Sequence, residues 1–205
     1  GASAVLSLWL LLGMLNLWSA GAKDLSVSVR WFTWIAAGSF KVDAAALIDP
    51  LTATMLCVVT VIGFFITVFA AGYMKGEEGY FRFFAYLGLF IFAMTCLVMG
   101  ENLVMLYLGW EGVGLCSYLL IGYYYQKPAA REAAKKAFLV NRVGDFGFAL
   151  GIMLIFLAFG TVSYFGQPGA TDGFVELAGL AHLLPGEQLR PIVNSTMQRE
   201  PFMIK

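Results

Sequence analysis

Charge is scarce in this sequence. Asp, Glu, Lys and Arg make up 13% of its 205 residues, against about 25% in an ordinary soluble domain. The 13 acidic and 13 basic residues cancel. That balance leaves no basic surface for nucleic acid and excludes that class of partner. Histidine is nearly missing: His182 is the only one. A single His without Cys or carboxylate neighbours at ligand spacing is not a metal site, so no metal is expected. Cysteine stops at Cys57, Cys96 and Cys116, all in apolar runs and none in C-x-x-C spacing. They read as small buried hydrophobes, not as a disulfide or metal framework.

What is abundant is apolar. Hydrophobic residues reach 60% and mean hydropathy is +0.79. With so little charge, the chain reads as an integral membrane protein. Eighteen Phe and 23 Gly suit membrane helices, where glycine serves close packing. Five apolar spans are visible, at about 2–20, 50–73, 83–100, 102–125 and 133–159. Each approaches or exceeds the roughly 20 residues a spanning helix needs. Only helices satisfy their own backbone in lipid at that length. The first span lacks the basic start of a signal peptide. With no initiator Met, the chain is expected to begin inside a longer protein.

Residues 21–48 differ. DLSVSVRWFTW and SFKVDAAAL alternate polar and apolar residues and predict short strands. A hairpin through Ala36-Ala37-Gly38-Ser39 joins them. The expected fold is therefore all-α, with about five transmembrane helices and a short extracytoplasmic β-hairpin loop. MKGEEGY and QKPAARE are polar turns. Residues 161–205 hold four of the six prolines and no spanning segment, and read as a polar or weakly ordered tail. Lys75, Arg82, Lys127, Arg131, Lys135 and Lys136 crowd two short loops on one face. By the positive-inside rule that face is cytoplasmic, and the hairpin lies outside.

Three ionisable residues interrupt the apolar spans: Glu111 inside LYLGWEGVGLCSYLLIGYYY, and Arg142 and Asp145 in the fifth span. A charge at mid-membrane costs roughly 2.5–3.5 kcal/mol even on the lenient insertion scale. A carboxylate there pairs, faces water or takes a proton. One reading is a proton path; the plain alternative for Glu111 is a structural hydrogen-bonding group between helices. Arg142 and Asp145, three apart, share a helix face. They belong to a charged path at staggered depths, or form a self-neutralising pair that eases insertion. Gly112 and Cys116 have small-xxx-small spacing and read as packing positions. Tyr123, Tyr124 and Tyr125 read as an interfacial aromatic belt.

GYMKGEEGYFRFFAYLGLF, NLVMLYLGWEGVGLCSYLLIGYYY and KKAFLVNRVGDFGFAL closely resemble the L-type, subunit 5-type antiporter-like membrane subunit of respiratory complex I, the proton-pumping NADH–quinone oxidoreductase. The likeness runs from about residue 25 to 165. Multisubunit cation/proton antiporters share the ancestral pattern and supply the alternative reading. The resemblance implies that Glu111 is the family's key glutamate in a proton half-channel, and that Arg142 and Asp145 are a charged pair supporting it. It implies no cofactor on this chain: NADH, FMN, iron–sulfur clusters and quinone belong to other subunits. The implied partners are other complex I membrane-arm subunits, the lipid bilayer and protons. The Ala-rich composition places the expected location in the bacterial inner (plasma) membrane, ahead of the mitochondrial inner membrane. Family members are much longer, and a later helix supplies a lysine that pairs with the glutamate. Nothing here matches it, and LRPIVNSTMQREPFMIK departs from the pattern. The 205-residue piece alone is therefore expected not to pump, which proteoliposomes of the isolated chain would check.

Overall fold

A computed structural model of the chain describes residues 1–20, 26–38, 40–165 and 173. Five helices and one hairpin account for most of them: α1 (Ala2–Ser19), β1 (Val27–Ala37), β2 (Phe40–Ile48), α2 (Pro50–Tyr73), α3 (Tyr80–Met99), α4 (Leu103–Ile121) and α5 (Pro128–Phe159). All five helices are long and apolar enough to cross a membrane. The expectation of five spanning helices with a small hairpin is borne out.

Local chemistry sets the helix ends. Asp49 caps α2 by accepting the Thr52 amide at 2.6 Å, with Pro50 in the first turn, where its fixed φ and missing N–H cost nothing. Asn102 caps α4 by accepting the Met105 amide at 2.9 Å. Gly79 opens α3 at φ 90° and Gly160 closes α5 at φ 74°, both left-handed. Helix α5 starts at Pro128, ahead of the apolar span that begins near residue 133. The proline nucleates the turn, and the basic residues after it form a polar first stretch of helix. Helix α4 ends at Ile121, so Tyr123–Tyr125 lie in the turn beyond it.

The hairpin is antiparallel, from Val27 opposite Ile48 to Ala37 opposite Phe40, with register shifts at Trp31 and Trp34. Gly38 takes φ 62° in the turn; Ser39 lies outside the described residues. Strand β2 is the inner one: Val42, Ala44, Ala45, Ala46 and Leu47 are buried. Strand β1 is exposed almost throughout. Val42, Leu103, Ile152 and Val162 form a buried cluster under the hairpin, with Phe40, Tyr107, Phe148 and Phe156 packed on it. Residues 161–165, read from sequence as the start of the tail, pack back onto this region. The Leu103 amide donates to the Val162 carbonyl at 3.0 Å, and the Tyr164 amide to the Glu101 carbonyl at 3.3 Å. Apart from Gly173, the rest of the tail, with His182, lies outside the described residues.

Helices α3 and α4 approach most closely at two glycines. A Cβ on Gly109 would sit 2.5 Å from the Leu97 backbone, and one on Gly112 would sit 2.9 Å from the Ala93 Cβ. Cys116, one turn further on, is fully buried. Helix α1 packs on α2, where the Ser7 and Thr60 hydroxyls meet at 2.6 Å. The outward faces are apolar, as at Phe81, Val143 and Leu157. Lipid is the natural cover for such a surface.

Candidate functional site

Helices α4 and α5 run antiparallel after the short turn at 122–127, which brings the three interrupting charges to one place. Arg142 on α5 forms an ion pair with Glu111 on α4. The same guanidinium lies 3.8 Å from the Asp145 carboxylate one turn along α5. Its other face rests on the Phe138 ring, 4.6 Å from the centroid. Asp145 is buried and accepts a hydrogen bond from the Trp110 indole N–H at 2.8 Å. Trp110 also meets Phe148 edge-to-face, and Tyr107 meets it likewise. Glu111 is four-fifths covered by the chain, whereas Arg142 is 42% exposed from it.

Charges of alternating sign adjoin one another across the α4–α5 contact. One cation bridges two carboxylates on different helices. Asp145 accepts from an indole donor; Glu111 pairs with the arginine and also hydrogen-bonds the Tyr107 hydroxyl. If Glu111 loses its negative charge by taking a proton, Arg142 has Asp145 within reach as its remaining partner. The three residues singled out in the sequence are therefore together. Trp110 was not singled out. A Trp in an apolar span reads as an interfacial anchor, and its one available signal was an indole donor adjacent to a lone carboxylate.

A second polar cluster sits at the α3–α4 corner under the hairpin. Glu101 and Asn102 are both buried. The Asn102 amide donates to the Asp43 carbonyl at 2.8 Å and to Glu101 Oε2 at 3.3 Å. Arg30 reaches Asp43 Oδ1 at 2.8 Å, off the line of a hydrogen bond, so that oxygen is ion-paired without a directed donor. Burial raises the Glu101 carboxyl above the ordinary range and the Asp43 charge adds to this; the Asn102 amide and Arg30 partly oppose it. Burial and then the Glu101 charge push the Tyr164 phenol up to about 12. A raised folded-state value means the folded chain holds the Glu101 proton more tightly than the unfolded chain. Stability from this group is present at low pH and falls as pH rises from the ordinary glutamate range through the raised value. Glu101→Gln is expected to flatten that part of the pH–stability curve, checked by thermal unfolding as pH is raised from the ordinary glutamate range, about 4.3. An unchanged slope would contradict the assignment. Among the described residues no group of three or more His, Cys, Asp or Glu side chains is placed to hold a metal ion.

Two polar clusters, one between α4 and α5 and one under the hairpin, set among five helices long and apolar enough to cross a membrane, define a multi-pass membrane protein with charge between its helices. Two family models match the chain. One describes the N-terminus of NADH–ubiquinone oxidoreductase (complex I) chain 5, over residues 34–84. The other describes the transmembrane region of NADH:quinone oxidoreductase and Mrp antiporters, over residues 100–171, which includes Glu111, Arg142 and Asp145. NADH-quinone oxidoreductase subunit L of Pseudomonas aeruginosa is 48% identical over 80% of this chain and 26% of its own length. Subunit L of Escherichia coli is 51% identical over 65% of this chain and 22% of its own. The chloroplast NAD(P)H-quinone oxidoreductase subunit 5 of Mesostigma viride is 45% identical over 75% and 22%. The solved structure of the Mrp complex from a Dietzia species matches with TM-score 0.60 and 25% identity, over 80% of this chain and 17% of that one. The chain thus spans about a quarter of the length of the curated relatives it matches.

The chain belongs to the subunit L/subunit 5 family of antiporter-like membrane subunits of NADH–quinone oxidoreductase. Its five apolar helices and its bacterial subunit L relatives make it a multi-pass protein of the bacterial inner (plasma) membrane.

Proposed function

We propose that this chain forms part of a proton-translocating membrane-arm subunit of NADH–quinone oxidoreductase, with Glu111, Arg142 and Asp145 lining part of a proton half-channel. The carrying observation is the Arg142 guanidinium set between two carboxylates on adjacent helices. Glu111 binds and releases the proton. Arg142 answers each change in that charge by shifting weight between Glu111 and Asp145. Asp145, held by Trp110, stays in place as the second partner, so the response is confined to the arginine. The chain does no redox chemistry itself; NADH, FMN, iron–sulfur clusters and quinone are handled by other subunits. Its partners are the other membrane-arm subunits and the bilayer. In the full-length subunit within the assembled complex, Glu111→Gln is expected to cut protons pumped per NADH oxidised, with electron transfer to quinone continuing or slowing in step. Undiminished pumping per NADH would remove Glu111 from the path.

The likeness to an Mrp complex supports a second reading, a subunit of a multisubunit cation/proton antiporter. Sodium-dependent proton flux without an NADH-linked partner would favour it over the first.

A further inference from the structure

The strongest unassigned feature lies at the other end of the same helices. A cavity of about 220 Å³ opens where α3 and α5 begin and α4 ends, lined by Arg82, Arg131, Tyr86, Tyr118, Tyr123 and Tyr125 among others. Arg82 is held over two rings, 5.3 Å from the Tyr123 centroid and 5.0 Å from that of Tyr125. Its remaining hydrogen bond, to the Tyr123 carbonyl, is long at 3.4 Å. The Tyr123 hydroxyl donates in turn to the Glu78 carbonyl at 3.1 Å. Gly79 is part of this cradle: a Cβ there would come within 3.2 Å of the Arg82 guanidinium and 3.5 Å of the Tyr123 hydroxyl.

Among the described residues, neither Arg82 nor Arg131 has a carboxylate at ion-pair distance, and the nearby Glu132 pairs instead with Lys135. The helix termini add to the positive field. Gly79 and Lys127 give α3 and α5 no side-chain cap, and helix N-termini attract anions. Two guanidiniums and several phenols form a donor set for a tetrahedral oxyanion. The site sits at helix ends marked by tyrosines, the level of a bilayer interface. Below it the outer faces are apolar at Leu115, Leu139 and Val140.

We propose that this cavity binds the phosphate of an anionic membrane lipid headgroup, with the acyl chains laid along the apolar faces of α4 and α5. The position of the cavity at the lipid boundary favours a lipid phosphate over a soluble one.

The test uses the full-length subunit, delipidated in detergent and mixed separately with phosphatidylglycerol, phosphatidylcholine or inorganic phosphate, with retained ligand read by native mass spectrometry. One phosphatidylglycerol should be retained in preference to phosphatidylcholine. Arg82→Gln with Arg131→Gln should weaken that retention by about tenfold or more, the loss expected when charge-assisted hydrogen bonds go. Lys75→Gln with Lys136→Gln, the same change of charge outside the cavity, should leave it unaltered. If the glutamine pair fails to assemble, Arg82→Lys with Arg131→Lys carries the test. It keeps the charge but loses the planar fork, and should still weaken retention. Equal retention of the two lipids, equal loss in both glutamine pairs, or unaltered retention in the lysine pair overturns the proposal. Binding of inorganic phosphate with the same dependence on Arg82 and Arg131, and no lipid retention, would also overturn it, making the cavity a site for soluble phosphate.

Discussion

Replacing Arg142 with leucine is expected to damage both assembly and proton transfer in the full-length subunit. Arg142 is the only cation between Glu111 and Asp145 among the described residues. Without it, two carboxylates on adjacent helices face each other with no opposite charge between them. Breaking a buried pair by removing one partner costs about 3–5 kcal/mol. Arg142 is 42% exposed from the chain, so a smaller cost than for a fully buried pair, about 1–3 kcal/mol, is the better expectation once screening is allowed for. Arg142→Lys should fall between, because an ammonium is a point charge and does not span two carboxylates as a guanidinium does. Adding Asp145→Asn to Arg142→Leu should restore assembly, since one of the two facing charges is gone, without restoring pumping. The amount of assembled complex in membranes and protons pumped per NADH separate these outcomes. Normal pumping in Arg142→Leu would mean the cation is no part of the relay.

A comparable effect is expected from a residue that carries no charge. Gly109→Val should disrupt the α3–α4 contact. Even a single Cβ at Gly109 would lie 2.5 Å from the Leu97 backbone, which is backbone and not a side chain that could swing away. Overpacking typically costs about 1–3 kcal/mol, and here the helices must separate. Their separation would also move Glu111, half a turn further along α4, relative to Arg142. Lower thermal stability and reduced assembly of Gly109→Val, with Gly114→Ala unaffected, would fit, since Gly114 has nothing within 4 Å of an added Cβ. Equal stability of both variants would contradict the close-packed contact.

Much of this was legible before any coordinates. Charges are so rare in the spans that Glu111, Arg142 and Asp145 stand out, and i,i+3 spacing places the last two on one face. The spans themselves followed from hydropathy and the breaks at Asp49-Pro50, Gly79 and Pro128. What stayed hidden was what only tertiary structure brings together. Arg82 and Arg131 are counted alike as loop charges in a sequence; their shared cavity depends on how α3 and α5 each pack against the end of α4. Tyr123, read as one of three belt tyrosines, is buried because its hydroxyl finds the Glu78 carbonyl. Glu101 falls in sequence between two apolar spans, with nothing to mark it as buried. Its burial follows from residues 161–165 folding back over the corner, a contact with no local signal. Asn102 did carry one, as a capping residue directly before an apolar run.

The central claim is that Glu111 takes up and gives back a proton. Infrared difference spectroscopy on the assembled full-length complex tests this most directly, by comparing resting enzyme with enzyme turning over NADH. The account predicts a protonated-carboxyl band that changes with turnover, disappears in Glu111→Gln and persists in Glu101→Gln. A turnover-dependent band that survives Glu111→Gln unchanged would contradict it.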